Sequence, residues 1–158
     1  MASVRDLARR YSVDPQWLNN KLVEASIPVI ADFAKNDGYI DDEIANQIIE
    51  TTEYAMGLAL SYSELNEMKR DTIPFAKGCY VYVLFDNNII VYVGQTTGLP
   101  YRIAQHTENK IFTHVAAIKT SKHILELTET AYILKHTPTI NITTPGIQSI
   151  LKYAINKV

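Results

Sequence analysis

Two apolar runs around one short polar turn constrain this chain more than any other stretch. Cys79-Tyr80-Val81-Tyr82-Val83-Leu84-Phe85 leads through Asp86-Asn87-Asn88 into Ile89-Ile90-Val91-Tyr92-Val93-Gly94. β-Branched and aromatic residues in runs this short, joined by turn-forming residues, predict a β-hairpin. Downstream, Gly98-Leu99-Pro100 opens a helix through about Asn109, and Phe112 to Ile118 reads as a third strand. Helical spacing returns from Ile124 to His136 and from Ile147 to Ile155. The second half is therefore expected to form a three-stranded antiparallel sheet flanked by helices, and the chain is expected to be α+β.

The first half reads as all-α. Val4, Leu7, Ala8 and Tyr11 recur at helical spacing, and Asp14-Pro15 looks like an N-cap followed by proline at the first helical position. The second helix places Trp17, Leu18, Leu22 and Ala25 on one side, leaving Gln16, Asn19 and Asn20 facing out. From Val4 to about Ile27 the pattern resembles a helix-turn-helix, although Ser12 stands where the turn often has glycine and Lys21 near a usually apolar position. Outward amides on the second helix can pair with adenine in the major groove, so these three are candidate DNA contacts. The alternative is a helical hairpin that only packs. Ile44, Ile48, Ile49, Thr52, Ala55, Met56, Ala59 and Leu60 then predict one long helix from about Asp41 to Met68, serving as a spacer, a dimerisation surface or the third helix of the N-terminal unit. A boundary after Ile73 gives two regions, 1–73 and 74–158.

Charge follows the same division. The net charge of −2 combines an N-terminal part negative by six with a C-terminal part positive by four, so only the latter suits a polyanion. The acidic first turn Asp41-Asp42-Glu43 suits a helix N-terminus and needs no metal. The single cysteine, Cys79, excludes an intramolecular disulfide and an all-cysteine metal cage. It shares strand parity with Val81 and Val83, so it reads as a small core residue and not as a nucleophile for His106. No apolar run approaches the roughly 20 residues that span a bilayer, and the opening segment is charged, so a cytoplasmic location is expected.

The downstream half resembles the GIY-YIG nuclease family. Gly78-Cys79-Tyr80, eleven residues, then Tyr92-Val93-Gly94 is similar to the paired tripeptides of that family. Arg102 and His106 follow at i and i+4, then Glu129 in Leu127-Thr128-Glu129-Thr130-Ala131, then Asn141 after Pro138, all in the family's order. The resemblance covers residues 77–142, under half the chain.

This resemblance implies hydrolysis of DNA phosphodiester bonds to 5′-phosphate and 3′-hydroxyl ends. Such a reaction needs a deprotonated water, compensation of charge on the phosphoryl oxygens and protonation of the leaving oxygen. It implies one Mg²⁺ or Mn²⁺ held by Glu129, waters and the substrate phosphate. Arg102 would fork onto phosphate oxygens, and Tyr80 or Tyr92 would activate water, with His106 able to relay or take the proton. Gln95 stands where several members carry lysine; it can only hydrogen-bond to DNA and adds no charge. Taken singly, each residue has a plainer reading: turn glycines, core tyrosines, a solvated Arg102/His106 face and an Asn141 turn cap. Glu129 is harder to dismiss, because Leu125, Tyr132 and Ile133 surround it on its helix. The competing function is a DNA-binding regulator or adaptor that keeps the fold without turnover, and RNA or branched substrates remain open. A double-strand cut would favour a homodimer, with the middle helix as candidate interface.

Overall fold

The computed structural model describes residues 1–73, 77–141 and 146–158. Pro74, at the expected boundary, and Ile142, where the resemblance ends, lie outside them. The protein is α+β, with two small three-stranded antiparallel sheets, and divides into two compact units. One comprises Met1–Ala55 with Gly146–Val158, and the other Met56–Pro145. The expected division into 1–73 and 74–158 differs from this in its internal boundary, which falls after Ala55, and in the C-terminal segment, which groups with the first residues.

In the first unit, strand β1 (Ala2–Ser3) leads into helix α1 (Val4–Arg10), which Ser3 caps by accepting from the Asp6 amide. Ser12 turns the chain at φ +52°, the backbone state for which a glycine is usual. Helix α2 (Pro15–Glu24) starts as anticipated, with the Asp14 carboxylate accepting from the Trp17 amide at 2.9 Å. The region is not all-α. Strands β2 (Ile30–Asp32) and β3 (Asp37–Ile40) form a hairpin, and β1 pairs with the other side of β3. Strands of two to four residues carry too little alternation to be read from sequence.

Helix α3 spans Asp42–Gly57, and its Ala45 and Ile48 enter the core formed by Val4, Leu7, Leu18 and Leu22. It is the third helix of this unit; of its apolar stripe Ile48, Thr52 and Ala55 are buried, whereas Met56 is exposed. Helix α7 (Ile147–Lys157) completes the same core with Leu151, Ala154 and Ile155. That burial is why the last helix groups with the N-terminal residues.

The second unit opens after a break in the expected Asp41–Met68 helix. Ser61 caps helix α4 (Tyr62–Met68) in a reciprocal box with Glu64, satisfying amides that a continuous helix would have paired internally. Strand β4 (Cys79–Asp86) is central, between β5 (Ile89–Thr96) and β6 (His114–Thr120). Helix α5 (Leu99–His106) joins β5 to β6, and helix α6 (Leu125–His136) follows β6 after a 3₁₀ turn at Lys122–Ile124. Alternation along β4 sends Val81, Val83 and Phe85 to the face covered by Leu65 of α4 and Tyr132 and Ile133 of α6. Cys79 packs on that face, as its parity predicts. Tyr82 and Leu84 go to the other face, against Leu99 and Ile103 of α5. Beyond β6, Arg70 and Val115 exchange both backbone hydrogen bonds at 2.8 Å. No helix among the described residues is long and apolar enough to cross a membrane.

Candidate active site

The site is built around the β4–β5 hairpin, and its register decides which tyrosine belongs there. Val91 is an extra residue on β5, because Phe85 pairs with Ile90 while Leu84 pairs with Tyr92. This bulge sets Tyr82 directly opposite Gly94 and Tyr80 opposite Thr96. Tyr82, two residues beyond the tripeptide that suggested Tyr80, is therefore the one beside Tyr92. Tyr80 is half-buried on the same face and packs as part of the core.

Gly94 is needed for close approach and not for a turn. A Cβ there would collide with the Tyr82 hydroxyl, lie 2.5 Å from Tyr82 Cζ and 2.9 Å from Tyr92 Cε1. Gly78, in contrast, is held at φ +118°. Into the space left at Gly94 reaches the Tyr82 phenol, whose oxygen is 2.7 Å from His106 Nε2. The Tyr92 ring lies 4.9 Å from the imidazole, tilted by 56°.

Arg102 and His106 share one face of α5, as their spacing predicts. His106 is 2% exposed. Burial, followed by the nearby Lys110 and Arg102 cations, pushes it down to about 4, so the imidazole is neutral at neutral pH. Burial also pushes the Tyr82 phenol well above its ordinary range; Tyr92 adds to the rise and Arg102 offsets part of it. The Tyr82 phenol in turn raises the Arg102 guanidinium. Arg102 Nη1 donates to Gln105 Oε1 at 3.1 Å and forms no ion pair among the described residues.

Glu129 reaches this region from α6. Burial raises its carboxyl, a hydrogen bond from Gln95 lowers it, Glu126 raises it and the charge of Arg102 lowers it. The Glu129 carboxylate, with Gln95 nearby, lacks an ion-pair partner among the described residues. No group of three His, Cys, Asp or Glu that could enclose a metal forms among those residues. A single half-buried carboxylate fits a hard divalent cation that takes its other ligands from water and phosphate.

Asn141, the last residue of the family-like series, bonds to the backbone of β5. Its Oδ1 accepts from the Val93 amide at 2.9 Å, and its Nδ2 donates to the Val93 carbonyl at 3.0 Å. The preceding Ile140 amide donates to the Val91 carbonyl at 2.7 Å. The side chain thereby fixes β5 between the two residues, Tyr92 and Gly94, that shape the site. Asn141→Ala is expected to destabilise the protein by about 1–3 kcal/mol, because it strips partners from a buried donor and acceptor. Urea unfolding should show a lower midpoint at an unchanged slope. An unchanged midpoint would contradict this role.

Of the helix-turn-helix candidates, Gln16 and Asn20 are exposed, and Gln16 Nε2 donates to Asn20 Oδ1 at 3.0 Å. Asn19 does not face out: it is half-buried, with Oδ1 3.6 Å from where a Cβ on Gly38 would lie. The groove it lines with Gln16 also carries Asp14, Asp32 and Asp37 against one cation, Arg5. Lys110 was missed altogether, since nothing in its sequence context marks it; its Nζ sits 4.8 Å from the Tyr92 ring centroid. No protein-family description matches this chain, and neither the curated proteins nor the solved structures contain a match to it.

Proposed function

We propose that the chain is a metal-dependent DNA endonuclease of the GIY-YIG type, with its chemistry in the second unit. The observation that carries this reading is the cluster of Tyr82, Tyr92, Arg102 and His106 on one face of the β4–β5 hairpin, with the half-buried Glu129 carboxylate near enough to feel the charge of Arg102. A phenol, an imidazole, a free guanidinium and a free carboxylate are the group types that phosphodiester hydrolysis needs. Mg²⁺ or Mn²⁺ bound at Glu129 would supply charge to the phosphoryl oxygens.

The remaining work falls to side chains. Arg102 presents two donors to phosphate oxygens without first breaking an ion pair. Tyr82, fully buried, ties its hydroxyl to His106, so the half-buried Tyr92 beside the same imidazole would orient the attacking water. Tyr92 would take the water's proton, with His106 able to take it on in turn. At rest this relay is uphill, because His106 is held low by burial and two cations. A bound phosphodiester, with its single negative charge, would offset part of the Lys110 and Arg102 charge, while burial, the largest cause, stays. The first unit contributes Gln16 and Asn20 as DNA contacts.

The test is digestion of long duplex DNA by the full chain with Mg²⁺ or with chelator, followed by mapping of the ends. Cleavage is expected only with metal, leaving 5′-phosphates that ligase accepts. Binding of duplex without metal-dependent cleavage of duplex, single-stranded or branched DNA would favour the regulator or adaptor reading, toward which the uncharged Gln95 and the raised Tyr82 phenol point.

A further inference from the structure

We propose that Lys110 grips a substrate phosphate directly, beside Tyr92, supplying from the far end of α5 the positive charge that Gln95 does not. The proposal rests on the nuclease reading and assigns that site a second phosphate contact alongside Arg102.

The position of Lys110 is fixed by the backbone. Its amide donates to the His106 carbonyl at 2.9 Å, and the Asn109 amide donates to the same carbonyl at 3.2 Å. This turn brings a residue four places after His106 back over the hairpin, where its ammonium stands 4.8 Å from the Tyr92 ring centroid. The Tyr92 ring packs in turn against His106. Lys110 therefore flanks the Tyr82–His106–Tyr92 cluster at one end while Arg102 flanks it at the other.

The ammonium is also uncommitted. It enters none of the ion pairs among the described residues, and its side-chain hydrogen bond is a long one, 3.4 Å, to the adjacent Asn109. The lysine is half-buried, so its charge has given up part of its hydration without gaining a carboxylate. A cation–π contact of about 0.5–1 kcal/mol holds the ammonium near the ring but leaves its donors free. An anion is the partner that such a group lacks, and the anion this site is proposed to receive is a phosphodiester.

The experiment measures duplex binding by the full-length protein in a Glu129→Gln background, so that no cleavage intervenes, between 50 and 200 mM KCl. Removing one phosphate contact lowers the slope of log affinity against log salt by about 0.9. Lys110→Gln should therefore flatten the slope by about that amount and weaken binding roughly eightfold near 0.1 M salt, whereas Lys110→Arg should restore both. An unchanged slope, with or without weaker binding, would overturn the proposal and leave Lys110 as a tether for Tyr92. Urea midpoints of the variants show whether weaker binding reflects misfolding. The two readings separate cleanly. Duplex binding with the Lys110-dependent slope, but no cleavage by the Glu129 protein with Mg²⁺, removes the nuclease and keeps the phosphate contact; absence of salt-dependent binding removes both.

Discussion

Glu129→Ala is expected to abolish metal-dependent cleavage, lowering the rate by at least about 10³-fold, because metal charge compensation contributes several kcal/mol to the transition state. The same substitution should not harm the fold. Burial raises the Glu129 carboxyl, so the stability its protonated form contributes is lost as pH rises through the raised pKa. Glu129→Gln, which removes the charge at similar volume, is expected to unfold at a urea concentration equal to or above that of the unsubstituted protein. Loss of activity without loss of stability is the signature of a residue retained for chemistry. Glu126, exposed three residues earlier on α6, is the control: Glu126→Ala should cut normally. Equal nicking of plasmid DNA by Glu129→Ala and the parent would end the assignment of Glu129, whatever the fate of the fold.

A chain ending at residue 145 is expected to lose the fold of the unit to which its first 55 residues belong. Helix α7 places Leu151, Ala154 and Ile155 in the core with Val4, Leu18 and Ile48. Burial of one leucine and one isoleucine is worth about 1.5–3 kcal/mol each, and the alanine adds less. Together this approaches the 5–15 kcal/mol that holds a typical domain. Leu151→Ala, a milder change at a fully buried site, should cost about 2–5 kcal/mol. Hydrogen exchange locates the effect: amides of α1 and α2 should lose protection while those of β4 keep theirs. Protection lost first in β4 would show that α7 supports the other unit.

The elements that sequence revealed are those whose signals are local. Asp14-Pro15 announces α2, and the two apolar runs announce β4 and β5. The break between α3 and α4 also had a local signal, Ser61 three residues before Glu64, but the apolar stripe running through Ala59 and Leu60 masked it. The allegiance of α7 is a contact more than 90 residues distant in sequence from α3, and no periodicity encodes it. At the site, Arg102, His106 and Glu129 were legible because each sits on a helix of predictable register. Tyr82 was not, because the bulge at Val91 shifts the pairing by one residue and only the shifted register sets it against Gly94. The backbone bridge made by Asn141 was not legible, since an amide that spans a strand backbone looks in sequence like any turn asparagine.

The backbone contacts outside β4 have a consequence for behaviour at high concentration. A three-stranded sheet offers two outer strands whose unpaired amides and carbonyls can recruit a neighbouring molecule into a growing stack. Here neither border is left open along its length. Ile140 and Asn141 occupy β5 at Val91 and Val93, and Arg70 occupies β6 at Val115 with a charged side chain beyond it. The hairpin is among the most apolar and β-prone stretches of the chain, the kind of segment that seeds fibrils when exposed. Asn141, which steadies β5 beside Gly94, thus also occupies part of an edge that would otherwise be open to a neighbouring molecule.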